Sequence, residues 1–247
     1  MPGKNRAPTL RQLAQRRLHQ PCCVPGCKKR RDPSRAASYC IGHAARHRHY
    51  GSPFGRRVWR HEYKTERKQV DALFRKYPEH PGVLEACAFL RDWLDAAAAG
   101  EKVPGAIHVA RLQRYGVEPL TILAEVCAVF AWEQRNPRAL PDDGVPLTCA
   151  MAIAMLYLVP REQTKAYVYP SGRTLRYKEA GSITRREVGT HLRDNLVRLL
   201  VNVWQAIEHE QQQQKNAVLA MSAPFNQPEG AIAPWQTTSQ SRQQRRA

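Results

Sequence analysis

The sequence predicts a mainly α-helical protein, and three observations carry that reading. From Glu62 onward, apolar residues recur at intervals of three and four through one segment after another. Proline and glycine mostly mark the ends of those segments. One short stretch departs from the pattern, with the β-prone residues and central turn of a hairpin.

Taken in order, residues 9–19 read as a short basic helix, capped by Thr9 and carrying Leu10, Leu13 and Leu18 on one side. A second helix is expected over residues 39–50, and Gly51 ends it. Residues 51–60, rich in Gly and Arg with Phe54 and Trp59 interleaved, read as an extended basic connector. Residues 62–77 present Val70, Leu73, Phe74 and Tyr77, and Pro78 closes them. Over 81–99, Val83, Leu84, Cys87, Leu90, Trp93 and Leu94 fit one buried face, and Gly100 stops the helix. A shorter helix follows at 104–115. Pro119 then sits at the first position of a helix over 119–133.

Residues 136–145, with Pro137, Pro141 and Asp142-Asp143-Gly144, form a loop. Residues 146–157 are strongly apolar and supply the central helix of the core. The hairpin spans 165–178, where Ala166–Tyr169 and Thr174–Tyr177 flank Pro170-Ser171-Gly172-Arg173. From Thr184 a long helix repeats Val188, Leu192, Leu196, Leu199, Val203 and Ile207. A Gln-rich tail begins at Gln211, with disorder expected after about residue 223. The chain therefore divides into a basic module over 1–60, a helical domain over 61–222 and a tail over 223–247.

Charge is distributed unevenly along this chain. Residues 1–70 hold 18 Lys and Arg against 3 Asp and Glu, a net of +15, out of +18 for all 247 residues. A module this basic presents a positive surface that favours a polyanion. No apolar N-terminal stretch resembles a signal peptide, and the longest apolar run, near 147–159, is too short to span a bilayer. Seven cysteines do not form a disulfide pattern. Four cluster near the start, and Cys87, Cys127 and Cys149 lie in apolar helical runs where a thiol acts as a small hydrophobe. The expected setting is a reducing, cytoplasmic one with no membrane.

Cys22, Cys27, Cys40 and His43 are spaced C-x4-C-x12-C-x2-H. Two close pairs joined by a loop suit a tetrahedral zinc ion. Pro25-Gly26 offers the tight turn that points two thiolates inward, and Cys40 and His43 stand three apart on one helical face. Cys23 competes with Cys22 for the first position, while His47 and His49 lie one helical turn or more beyond His43. A Cys3His set leaves no open coordination position, so the ion is structural.

The run Cys22-Cys23-Val24-Pro25-Gly26-Cys27, then Cys40-Ile41-Gly42-His43, Arg46, Arg48, Gly51 and Pro53, resembles a short Cys3His finger of phage and other bacterial mobile-element proteins, some of which carry HNH nuclease domains. Ser38, Tyr39, Ala44 and Ser52 depart from that pattern at positions that bear no ligand. The resemblance covers residues 20 to 54, favours Cys22 over Cys23 as ligand, and implies a mobile-element origin.

Nucleic acid is the expected partner, DNA before RNA, because aromatic stacking platforms are sparse around the finger. Lys28, Lys29, Arg30 and Arg31 in the loop suit phosphates, and Arg46, Arg48, Arg56, Arg57 and Arg60 follow the metal helix. The hairpin, with Lys165, Arg173, Arg176 and Lys178, offers a second basic edge. The stripe over 184–210 serves either the core or a homodimer seam. Two other readings stand beside this one: a scaffold or assembly factor that uses the finger for docking, and a metal-dependent nuclease. Catalytic motifs are absent, and His61-Glu62 is the only suggestive pair, so no catalytic residue is assigned and an enzyme is not expected.

Overall fold

A computed structural model describes residues 20–32, 38–141, 145–159, 167–168, 174–175 and 180–222. The architecture is mainly α-helical, as predicted. The helices are α1 (Ile41–Tyr50), α2 (Lys64–Lys76), α3 (Pro81–Ala98), α4 (Ala106–Arg114), α5 (Pro119–Arg135), α6 (Val145–Leu156) and α7 (Ser182–Ser222). Strands β1 (Tyr167–Val168) and β2 (Thr174–Leu175) pair antiparallel, with Tyr167 opposite Leu175 and Val168 opposite Thr174. The hairpin's basic residues, the helix expected over 9–19 and the tail from 223 lie outside the described residues.

Local chemistry explains several helix ends. Pro81 and Pro119 occupy the first helical positions of α3 and α5, where a missing N–H leaves nothing unsatisfied. The His80 ring accepts a hydrogen bond from the Gly82 N–H at 3.2 Å and caps α3. Gly51, at φ 76°, ends α1 with its N–H on the His47 carbonyl. α7 runs beyond the Gln211 where a tail was expected. Gln, Lys and Ala are good helix formers, and no proline interrupts them before Ser222.

Two helices form the centre. α5 is buried on every side from Ile122 to Val129, and α6 from Thr148 to Met155. α2 and α3 pack on α5, while α4 packs on α3 and α6. The apolar stripe of α7, from Val188 to Ile207, is buried in this same core by its own chain. Cys127 and Cys149 are core residues as expected, and Cys87 is half-buried. Leu84, expected on the buried face of α3, is exposed. Its neighbour Val83 faces inward, as expected.

A close contact between α6 and α7 left no mark in the hydrophobic pattern. Gly189 is buried so tightly that a Cβ there would fall on the carbonyl of Thr148. Backbone meets backbone at that crossing, and only glycine fits. By packing, the chain forms two compact units, Met1–Ile207 and Glu208–Ala247. No helix among the described residues is long and apolar enough to cross a membrane.

Candidate metal centre

The site is built from a knuckle and a helix start. Residues 20–31 double back on themselves: Cys22 N–H donates to the Lys29 carbonyl at 2.9 Å, Arg31 N–H donates to Gln20, and Pro21 bridges Arg30. At the tip, Cys27 N–H donates to the Val24 carbonyl at 3.0 Å. Gly26 turns the chain there at φ 75°, the left-handed conformation the sequence predicted. Cys40 is the N-cap of α1, and His43 stands three residues on. The Cys40 sulfur thus stands at the positive end of a helix.

Cys22, Cys27, Cys40 and His43 converge, with their ligand atoms all within 4.8 Å of one another. Cys22 Sγ and Cys40 Sγ each lie 3.3 Å from His43 Nδ1, and Cys27 Sγ lies 4.0 Å from Cys40 Sγ. Zinc bonds of about 2.3 Å to sulfur and 2.0–2.1 Å to nitrogen at tetrahedral angles require S–S near 3.8 Å and S–N near 3.6 Å, roughly what is found. The Cys3His group can therefore hold a metal ion. Cys23 points elsewhere, exposed, and takes Arg31 Nη2 at 2.9 Å. His47 and His49 stand exposed on α1, outside the cluster.

The electrostatics favour a cation. Burial opposes ionisation of Cys22, yet the Cys40 and Val24 backbone N–H groups, with His43 and Cys27, bring its thiol down to about 6. At Cys27 the Lys29 backbone N–H favours the thiolate, but burial and the sulfurs of Cys22 and Cys40 push the thiol above its ordinary value. One thiolate forms readily and resists its neighbours. A bound cation removes that conflict.

The basic residues divide into two groups. Lys28, Lys29, Arg30, Arg46 and Arg48 are exposed on the knuckle and on α1, around the cluster. Arg31 braces the knuckle through the Pro21 carbonyl and Cys23. The connector arginines turn toward the helical core. Arg56 pairs with Glu62 at 2.7 Å, and Arg60 with the buried Glu125 at 2.6 Å. Arg57 lies over the Trp59 and Tyr157 rings at 4.1 and 4.4 Å. Glu62 also takes the Trp59 N–H, while His61 is exposed.

Two contacts that sequence reasoning missed seat the finger on the helical core. Arg185 of α7, 3% exposed, donates Nη1 to the His49 carbonyl at 2.8 Å. Gly51 lies against Val145 and Cys149 of α6. Both are long-range, so no local spacing announces them. No protein-family model matches this chain, and neither the curated proteins nor the solved structures contain a match.

Proposed function

We propose that this is a zinc-stabilised nucleic-acid-binding protein, DNA-directed, of the bacterial or phage mobile-element kind that its finger motif resembles. The reading rests on one observation. The exposed cations Lys28, Lys29, Arg30, Arg46 and Arg48 stand on the two segments that converge on the Cys3His group. A structural ion holds knuckle and helix in one arrangement, so their charges meet phosphates without first ordering the chain. Phosphate contacts position such a module on its polyanion, and arginine can also read guanine edges.

Zinc is the ion that three thiolates and an imidazole suit best, and its closed set makes it a scaffold rather than a Lewis acid. The test is a titration of the full zinc-loaded chain with labelled duplex DNA across a range of salt. Affinity that falls steeply with salt supports the reading. No binding at low salt, or binding indifferent to salt, overturns it.

A further inference from the structure

A cavity of about 180 Å³ opens where the connector crosses α5 and α6, lined among others by Arg57, Arg60, Tyr63, Glu125, Ala154 and Tyr157. Glu125 is 1% exposed. Its Oε1 takes Arg60 Nη2 at 2.6 Å and Arg67 Nε at 3.3 Å. Its Oε2 is buried without a hydrogen-bond partner, and so is the Nε of Arg57. Burial first, then the charge of Glu125 and a hydrogen bond to it, push the Tyr63 hydroxyl well above the usual tyrosine range, so it stands here neutral. One cavity thus holds an orphaned donor and an orphaned acceptor, which a buried site rarely leaves unmatched.

We infer that the cavity takes one unpaired pyrimidine base of a nucleic-acid strand, whose edge bridges Arg57 and Glu125. This rests on the nucleic-acid reading above. A cavity of about 150 Å³ is enough for a benzene ring, so this one has room for a single six-membered ring. Cytosine offers an amino donor for a carboxylate and, beside it, a ring-nitrogen acceptor for Arg57. A phosphate does not fit the chemistry, because it offers no donor to the orphaned Oε2 of Glu125. Val58, Ile153, Ala154 and Leu158 supply the apolar walls a flat base needs. The connector runs from the finger to the cavity and carries Phe54 and Trp59, 54% and 49% exposed, with Arg57 over the Trp59 ring.

The experiment measures anisotropy of the full zinc-loaded protein with three labelled DNAs: a short cytosine-only strand, the same strand made abasic, and a duplex. The cytosine strand is expected to bind about tenfold tighter than the abasic one, as base stacking and a paired edge together allow. Ala154→Leu, which fills the cavity, should remove that preference and leave duplex affinity unchanged. Arg57→Lys, which keeps the charge and loses the Nε donor, should remove the preference too, and decides the matter if Ala154→Leu does not fold.

Equal affinity for cytosine and abasic strands, with duplex binding intact, overturns the pocket and leaves the finger reading standing. An unchanged preference in Arg57→Lys also overturns it. Absence of binding to all three DNAs overturns both readings. Displacement of the labelled strand by free cytidine monophosphate at equal base concentration would assign the cavity to a nucleotide instead of a strand.

Discussion

Cys22 and Cys23 are adjacent in sequence and opposite in fate. The first is buried and takes the Cys40 N–H on its sulfur at 3.3 Å; the second faces solvent beside Arg31. Cys40→Ser should therefore abolish stoichiometric zinc measured by atomic emission, whereas Cys23→Ser and Cys87→Ala should leave about one zinc per chain. Full zinc occupancy in Cys40→Ser would remove the assignment. Two helical glycines make a second contrast. A Cβ at Gly42 meets nothing within 4 Å, while one at Gly189 strikes the Thr148 carbonyl. Gly189→Ala should cost about 1–3 kcal/mol or more in denaturant unfolding, and Gly42→Ala should be neutral or gain up to about 1 kcal/mol. Equal midpoints for the two variants would contradict the crossing described between α6 and α7.

At the scale of elements, the helices were legible where punctuation and period agreed. Pro81, Pro119 and Gly51 mark their ends for reasons internal to a few residues. The Cys3His cluster was legible for the same reason, since a spacing of two and four residues within each pair is a local fact. What stayed hidden is long-range: Glu125 in an apolar helix shows no sign of Arg60 and Arg67, and Gly189 no sign of Thr148. Two half-buried histidines add a pH dependence of their own. Burial, with Arg111 and Arg185 beside His108 and against a weaker pull from Asp194 on His191, holds both imidazoles below their ordinary value of 6.5. Folding thus favours the neutral rings. Their contribution is present above pH 6.5 and is lost as pH falls below it, because the unfolded chain takes up protons first. The thermal midpoint should drop on acidification from pH 7 to 5, and His108→Gln with His191→Gln should flatten part of that drop. An equal drop with and without these histidines would remove them as the cause.

For the whole molecule, two sources of stability are expected: an ion held by the Cys3His group and apolar burial around α5 and α6. Chelation should release the finger while circular dichroism retains most of the helical signal and a cooperative melt. Disappearance of that melt would mean the ion holds the core as well. Charge gives the other global expectation. With several cations on one small surface, the log–log slope of DNA affinity against salt should be roughly −4 to −7. Arg46→Ala with Arg48→Ala should weaken binding and flatten the slope by about 1–2, since each neutralised phosphate contributes about 0.9. An unchanged slope in that double variant would take α1 off the DNA.

The bond from Arg185 to the end of α1 bears on how such a finger can be moved between proteins. A guanidinium sealed under the surface has been matched to one particular carbonyl, at the pole of a helix where positive charge is welcome. A graft of residues 20–54 onto a foreign body would arrive without its socket. A chain shorn of them would keep Arg185 without the His49 carbonyl it now meets. Recombination at this seam should succeed only when donor and recipient exchange the finger together with the α6–α7 surface that receives it.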